Sequence, residues 1–433
     1  PVWSFPASFI AIIGLGYFFT FFDITNIGFA MPAIATQFHL TGSESLFIAL
    51  SVGLIGYIFG SYIIGTFADK YGRYRTMLVT MILIAIGSFG DAVSTGMITL
   101  SIWRFITGMG VGADLNLVSI YIGELSPPEK RGRMSVMTFL IGIIGQAITP
   151  FIALALVPNF MIGWRLLFAM GGAIALIAIA FRSRLPESPR WLVLHGRMDE
   201  ANRIVTNMEK FVRKKGIQLK KFKPAPLNLS KGKFPTSYLF QKGYSTRLMT
   251  FSAMWFMWYI GNYGFLGDAA TLLSSQGITV ANSILFLAFG AIGYPVGAII
   301  MIFIADKFER KLLILSSTAV WLIGMILIGS LASDATIILG SFLASLSLGL
   351  YLQVAYTFTA ESYPTRARAS GFALSDGIGH LGGAVGALLL PILVTSLSFF
   401  YGFAIIGITG LIAGIISLAG PSASKLTLEQ VSN

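Results

Sequence analysis

The sequence predicts an all-α integral membrane protein with twelve transmembrane helices, arranged as two homologous six-helix halves. Three observations predict this fold class: an apolar composition, apolar runs of membrane-spanning length, and an internal repeat. Of the 433 residues, 55% are hydrophobic and 11% are charged, and the mean hydropathy is +0.79. Ordinary soluble domains carry about 25% charged residues, so this composition excludes a water-soluble globular enzyme.

Six apolar runs make up the first half of the chain. A helix that crosses a bilayer needs about 20 apolar residues, and runs of this length lie between breakers and charge clusters. They predict helices over 7–35, 46–67, 76–91, 97–122, 134–157 and 163–181. Basic clusters follow the second and the fourth of these runs, at Lys70, Arg73 and Arg75 and at Lys130, Arg131 and Arg133.

The second half repeats this pattern after a basic segment. Helices are predicted over 247–275, 282–305, 312–332, 335–360, 367–395 and 398–419. Basic clusters again follow the second and fourth runs, at Lys307, Arg310 and Lys311 and at Arg366 and Arg368. We therefore expect a first half at 1–181, a basic loop at 182–246, a second half at 247–420 and a tail at 421–433.

An internal repeat supports two homologous halves. The run from Ala68 to Arg73 returns, with changes, from Ala305 to Arg310, which is 237 residues later. Three residues of another loop return at the same offset: Glu124, Pro127 and Arg131 become Glu361, Pro364 and Arg368. Two loop motifs that share one offset are expected of a transporter built from parallel repeats.

The net charge of +12 is confined to one segment. Residues 182–247 hold 16 of the 30 basic and 4 of the 18 acidic residues, and the rest of the chain is neutral. Basic loops stay on the cytoplasmic face of membrane proteins, so we expect both termini in the cytoplasm and the protein in the plasma membrane. No aromatic platform or base-reading module accompanies the charge, so it does not indicate nucleic-acid binding.

The basic loop begins with an amphipathic pattern. From Ser188, apolar residues three to four apart predict a helix that lies against the cytoplasmic ends of the bundle: Trp191, Leu194, Met198, Ala201, Val205, Met208 and Val212. The Lys-rich stretch from Arg213 to Lys242 is predicted to form short helices and flexible chain near the lipid surface. The chain has no cysteine, which excludes disulfides, thiolate metal sites and thiol nucleophiles.

Loop motifs resemble the major facilitator superfamily over almost the whole chain. They lie at Gly65 to Arg75, Arg104 to Gly108, Glu124 to Arg133 and Pro186 to Leu192 (PESPRWL), and in the tail from Pro421 to Ser432. The match is to the branch of sugar porters and metabolite:proton symporters, which also includes organic-ion and phosphate carriers. The resemblance implies the major facilitator fold, a small-molecule substrate, protons as coupling ions, no cofactor, no resident metal and a functional monomer.

The seventh helix departs from the sugar-porter pattern. It reads WFMWYIGNYGFLGD and lacks the paired glutamines that sugar porters carry there. Trp255, Trp258, Tyr259, Asn262 and Tyr263 are nevertheless candidates for lining a substrate cavity, as is Gln146. Hexose specificity is therefore not implied.

Ionisable residues inside a bilayer are costly unless they face an aqueous path or a partner. The sequence places six of them at membrane depth: Asp23, Arg104, Asp114, Asp268, Asp376 and His380. Asp23 is expected to carry the coupled proton, because its apolar setting favours protonation and coupled relatives have an acid there; the alternative is a local bond to Thr25 or Asn26. Asp114 is a second coupling candidate, with a buried structural ion pair as the alternative.

The eleventh helix carries the information on substrate charge. Asp376 and His380 lie one turn apart on one face, and the resemblance aligns His380 with a basic residue of anion carriers. We expect this pair to contact substrate, and Arg104 either to contact substrate as well or to orient the acids of helices 1 and 4. Loop charges are expected from the resemblance to link the halves when the protein faces outward. They are grouped as Asp69 with Arg73, Glu124 with Arg131 and Arg133, Glu187 with Arg190, and Glu361 with Arg366 and Arg368, and Asp306 and Arg310 belong to the same network.

The sequence therefore predicts a proton-coupled symporter that works by alternating access, with an organic acid or anion as the favoured substrate. A sugar or polyol porter, an organic-cation carrier and a nontransporting membrane sensor are the alternatives. No arrangement of residues indicates an enzyme.

Overall fold

The computed structural model describes residues 5–40, 47–157, 159–218, 236–241, 243–364 and 367–423. The first half of the chain forms six long helices: α1 (Ala7–Phe38), α2 (Gly53–Tyr71), α3 (Arg73–Ala92), α4 (Met97–Leu125), α5 (Arg131–Leu156) and α6 (Gly163–Arg182). A π-helical turn, Phe47–Val52, leads directly into α2.

The second half begins after two shorter helices, α7 (Pro189–Leu194) and α8 (Met198–Lys214). Its members are α9 (Tyr244–Ser275), α10 (Val280–Ala291), α11 (Gly293–Ile304), α12 (Arg310–Ser330), α13 (Asp334–Glu361), α14 (Arg368–Ser396) and α15 (Phe399–Ser417). Since α10 and α11 follow one another as a single span, this half also contributes six membrane-crossing elements.

Every predicted transmembrane run coincides with an observed helix. Over the described residues, ten helices are long and apolar enough to cross a membrane. Two elements remain. Helix α2 lies lengthwise against α4, and α9 lies lengthwise against α14 and α15. The predicted fold class is confirmed, with ends that differ by a few residues.

Glycines allow the close contacts inside each half. A Cβ atom on Gly56 or Gly60 would overlap the backbone of Phe105 or Met109 in α4, and Gly293 and Gly297 meet the backbone of α13 in the same way. Small residues that let backbones approach are typical of membrane helix interfaces. Both Gly-x-x-x-Gly pairs therefore serve close packing between helices of the same half.

Gly72 makes the sharp turn between α2 and α3. Its φ of +107° is open to glycine but strained for other residues. A side chain at this position would also meet the Glu187 carboxylate.

The amphipathic segment differs from the prediction of one helix. It breaks at Gly196, which has a φ of +74°, so that α7 and α8 are separate helices. Trp191, Ala201 and Val212 are buried as the pattern predicts, whereas Met198 and Val205 are exposed. The apolar period therefore identified the buried face but not the glycine turn.

The two halves touch along two seams, α2 against α14 and α5 against α11. The seams approach the end of the bundle where the basic loops lie, which we call the basic end; the other end is the far end. Residues 219–235, the tail from 424 and Arg366 lie outside the described residues, as does the side chain of Asp268.

Candidate functional site

Arg104 connects two buried carboxylates in the first half. Its Nη1 lies 3.2 Å from Asp23 Oδ2 and 3.3 Å from Asp91 Oδ2. Ser88 donates a further hydrogen bond of 2.9 Å to Asp23. The three charged side chains come from α1, α3 and α4 and are at most 5% exposed. Asp23 thus bonds neither Thr25 nor Asn26, and two acids share one guanidinium.

The sequence did not single out Asp91 as a buried acid. It falls at the last position of the third predicted helix, where a carboxylate is ordinarily solvated. In the structure α3 continues to Ala92 and Asp91 is fully buried. Its spacing of thirteen residues from Arg104 crosses the turn between α3 and α4, so only the helix hairpin brings the two together.

A cavity of about 400 Å³, counted with the space at its mouth, lies beside this cluster. Most of its wall is apolar, from Ile24, Ile27, Leu54 and Val111, with Gly53 and Gly108 giving flat surfaces. Arg104 and Asp23 supply its charges, and Tyr57 and Tyr263 supply its aromatic rings. Arg104 Nε is buried without a hydrogen-bond partner, so the guanidinium keeps donor capacity for an anion.

Asp114 lies in a different, saturated environment. Both of its oxygens accept hydrogen bonds from Arg182. The hydroxyls of Thr20 and Thr80 donate to it at 3.1 and 2.9 Å. Arg182 is fully buried at the end of α6, whereas the sequence counted it with the basic loop. This is the geometry of the buried ion pair that the sequence left open as the alternative for Asp114.

Asp376 is surrounded by tyrosines rather than by cations. Tyr57 of α2 donates a hydrogen bond of 2.6 Å to its Oδ2, and Tyr259 of α9 one of 2.8 Å to its Oδ1. His380 Nδ1 donates to the main-chain carbonyl of Asp376 at 2.8 Å and is 3.7 Å from its carboxylate. The imidazole stacks against Tyr57, with centroids 3.6 Å apart, and lies 4.0 Å from the Tyr259 ring.

The predicted lining residues divide between the cavity and the helix core. Tyr263 lines the cavity, while Asn262 is buried with its Nδ2 unpartnered. Trp255 donates to Thr359 at 3.0 Å, and Trp258 stacks on Tyr351 at 3.8 Å inside the second half. Gln146 is buried within hydrogen-bond reach of Tyr294. Of the seventh-helix candidates, Tyr263 therefore lies nearest to a substrate in this conformation.

The charges of the basic end form ion pairs between the two halves. Glu124 contacts Arg73 at 3.3 Å and Arg368 of the other half at 3.4 Å. Glu361 contacts Arg310 at 3.4 Å and Arg131 of the other half at 2.9 Å. The predicted pairs of Glu124 with Arg131 and of Glu361 with Arg368 are thus exchanged.

The remaining loop carboxylates mostly accept hydrogen bonds from main-chain amides. Asp69 pairs with Arg73 at 3.1 Å, as expected. Asp306 is 3.5 Å from Arg310 and accepts bonds from the main-chain amides of Gly132 and Arg133, each at 2.9 Å. Glu187 accepts from the main-chain amides of Arg73, Tyr74 and Ser188, and its burial raises the pKa of its carboxyl.

The cross-half pairs join the two halves at the basic end, whereas the cavity with Asp23 and Arg104 lies at mid-depth. A bundle of two six-helix halves with a charged cavity at mid-depth defines a secondary membrane transporter of the major facilitator fold. The model of the family described as "Sugar (and other) transporter" matches residues 7–433. The chain belongs to this family, whose members are transporters and not enzymes.

Known relatives carry different solutes. The niacin transporter NiaP of Acinetobacter baylyi is 26% identical over 100% of this chain and 97% of its own. The 4-hydroxybenzoate transporter PcaK of Pseudomonas aeruginosa is 27% identical over 84% of this chain and 81% of its own. The proton:xylose symporter XylE, solved with a bromodeoxyglucose, superposes with a TM-score of 0.83 at 20% identity, covering 98% of this chain and 97% of that one.

Proposed function

We propose that the protein is a proton-coupled symporter of small organic acids, with flat aromatic monocarboxylates as its preferred class. The observation that carries the proposal is Arg104 on the wall of a largely apolar cavity, a guanidinium whose Nε has no hydrogen-bond partner. A guanidinium in such a setting is the group of choice for a carboxylate. The aliphatic, glycine and tyrosine surfaces around it suit a planar ring.

The charge balance around Arg104 supplies a reason for coupling. Asp23 and Asp91 together carry one more negative charge than Arg104 neutralises, and an excess charge at membrane depth is costly. Protonation of Asp23 removes that excess and frees part of the guanidinium. A substrate carboxylate then restores the same balance, so proton and anion enter together.

Two of the compared relatives support the aromatic class, since niacin and 4-hydroxybenzoate are both named as their substrates. XylE supports the alternative, a sugar or polyol porter, but a sugar needs many hydrogen-bonding groups, and most of the described cavity wall is apolar. An organic-cation carrier is less favoured because the cavity presents Arg104. A nontransporting sensor would bind solute without moving it.

The other candidate residues receive roles that follow from their contacts. We assign proton coupling to Asp23, and to Asp114 the anchoring of α4 to α6 through Arg182. Tyr263 and Asn262 are proposed to contact substrate, Trp255 and Gln146 to shape the cavity as the halves move, and Trp258 to support α9 from inside its half. Asp376, Tyr259 and His380 lie outside the cavity wall in this conformation.

The basic end is proposed to face the cytoplasm, because Lys and Arg concentrate in its loops. Both termini are then cytoplasmic and the protein resides in the plasma membrane as a monomer, with halves at 1–181 and 247–420. On this orientation the bundle is closed to the cytoplasm.

Uptake into liposomes tests the proposal. Purified protein should accumulate labelled nicotinate or 4-hydroxybenzoate when a pH gradient is imposed, and xylose or an organic amine should neither accumulate nor compete. Arg104→Lys, which keeps the charge but loses the planar fork, should reduce uptake at least about tenfold. The matched control is Arg165→Lys, whose guanidinium stacks on Trp164 and bonds the Ala92 carbonyl. Gradient-driven uptake of xylose instead would establish the sugar alternative, and solute binding without uptake would establish the sensor.

A further inference from the structure

The seam between α2 and α14 contains three polar contacts that join the two halves. From the cavity toward the basic end they are Tyr57 to Asp376 at 2.6 Å, Ser61 to the Ala373 carbonyl at 3.3 Å, and Ser370 to Asp69 at 3.0 Å. The numbers rise along α2 and fall along α14, so the helices are antiparallel. Tyr57 also lines the cavity, which puts the first contact at the cavity floor.

Asp376 differs from the other buried carboxylates in its partners. In the described part of the membrane helices, Asp23, Asp91, Asp114, Glu124 and Glu361 each contact an arginine. The Asp376 carboxylate instead accepts hydrogen bonds from two tyrosine hydroxyls, has the amide of Asn116 in α4 within reach, and lies 3.7 Å from His380 Nδ1. It is fully buried, so its ionised form depends on donated hydrogen bonds.

The surroundings of Asp376 contain one basic group. Titratable side chains face it from several helices: Tyr17 of α1, Tyr57 of α2, Tyr259 and Tyr263 of α9, Tyr351 and Tyr356 of α13, and His380 of its own helix. The neighbouring α4 contributes the neutral Asn116, and the one titratable residue of α15, Tyr401, is exposed. A proton that reaches this cluster therefore resides on Asp376 or on His380.

We propose that the Tyr57 to Asp376 hydrogen bond is a proton-controlled latch between the halves, which seals the cavity floor while Asp376 is ionised and opens when Asp376 is protonated. An ionised carboxylate accepts hydrogen bonds roughly twice as strong as those of a neutral group. Protonation removes that strength and one acceptor site, so the contact between α2 and α14 weakens where it borders the cavity. Ser61 and Asp69 then separate from α14 in turn.

The latch rests on the proposed function, because it links proton uptake from the cavity to opening at the basic end. It also adds a second proton site, one that controls the seam rather than the substrate. Tyr259 donates to the same carboxylate from within the second half, so its bond does not need to break when the halves separate. Tyr57 and Tyr259 are therefore a matched pair for testing.

Thiol labelling can test the latch without any substrate, since the chain has no native cysteine. Thr357→Cys is the reporter: Thr357 is buried, lines the small void at the basic end beside Glu361 and Arg368, and bonds only its own helix. The protein in lipid nanodiscs is treated with a maleimide at about pH 5.5 and about pH 8, and labelling is normalised to the same protein in denaturing detergent at that pH.

We expect the reporter to label slowly at the higher pH and about tenfold faster at the lower one, as loss of a charge-assisted hydrogen bond implies. Tyr57→Phe and Asp376→Asn should label fast at both pH values, whereas Tyr259→Phe should keep a pH response, because the hydrogen bond that crosses the seam is intact. Three outcomes would overturn the latch: parent labelling that does not change with pH, slow labelling of Tyr57→Phe, or a pH response that persists in Asp376→Asn. The reporter parent keeps Tyr57, Tyr259 and Asp376 unchanged. Its pH response therefore tests the proposal even where a variant at one of these positions fails to fold. Labelling as expected in a protein that transports no organic acid would refute the proposed function and leave the latch standing.

Discussion

The role of each buried acid in this protein depends on the side chains that it contacts. Asp23, Asp114 and Asp376 are all fully buried acids at membrane depth, but their partners differ. Asp23 shares an arginine with a second acid, Asp114 has an arginine to itself, and Asp376 is held by tyrosine hydroxyls with His380 nearby. A proton neutralises an excess negative charge, whereas an ion pair of zero net charge has no excess for a proton to neutralise. Proton coupling is therefore expected where the charges do not balance.

Asp23→Asn tests this at the coupling site. The amide leaves Arg104 balanced by Asp91 alone, so no proton need be bound or released. Accumulation driven by a pH gradient should fall to the passive level, while exchange of labelled for unlabelled substrate stays measurable, because exchange requires no net proton movement. Accumulation at the parent level would assign coupling to another group.

Asp114→Asn tests the balanced pair. It leaves Arg182 buried without its counter-charge, which costs about 3 to 5 kcal/mol in comparable cases. A lower midpoint of thermal unfolding in detergent is expected, and Asp114→Asn combined with Arg182→Gln should recover part of the loss. Unchanged stability together with loss of gradient-driven uptake would instead make Asp114 a proton carrier.

At the scale of the helix, backbone contacts through glycine fix how α2 packs on α4. A valine at Gly60 would place methyl groups against the Met109 backbone, and neither helix can retreat without opening the bundle. We expect Gly60→Val to give little protein that elutes as a single species in size-exclusion chromatography. The control is Gly96→Ala: Gly96 is extended, and no atom lies within 4 Å of the place that the alanine methyl group would occupy. Equal recovery of the two variants would mean that the contact is dispensable.

Helices were the most predictable elements, because each must present about 20 apolar residues to lipid whatever it contacts inside. Partners across helices were less predictable. Arg182 and Asp91 lie at helix ends, where a charged residue is ordinarily predicted to be solvated. Only the packing of the helices shows that they are buried. The exchange of ion pairs at the basic end could not be inferred either, since Arg131 and Arg368 occupy equivalent repeat positions and either could reach the glutamate of its own half.

At the scale of the whole molecule, we expect the cross-half ion pairs to hold the basic end closed. Glu361→Gln removes the charge that joins Arg131 to Arg310 and leaves two guanidinium groups facing each other. Labelling of Thr357→Cys should rise at both pH values, since this pair, unlike the latch, does not depend on Asp376. The control is Glu209→Gln, an exposed glutamate 3.8 Å from Arg213 in α8, for which no change is expected. Equal labelling of Glu361→Gln and its parent would contradict a closing role.

The exchanged pairs have a consequence for the direction of transport. Each glutamate lies between an arginine of its own half and one of the other, Glu124 between Arg73 and Arg368 and Glu361 between Arg310 and Arg131. When the halves part, each carboxylate can keep the arginine of its own half, so neither is stranded as a bare charge. Opening then costs far less than breaking an isolated buried pair. The solute and proton gradients set the direction of net transport, and a low cost of opening lets the halves part under either direction: reversing both gradients should turn the same molecule into an exporter.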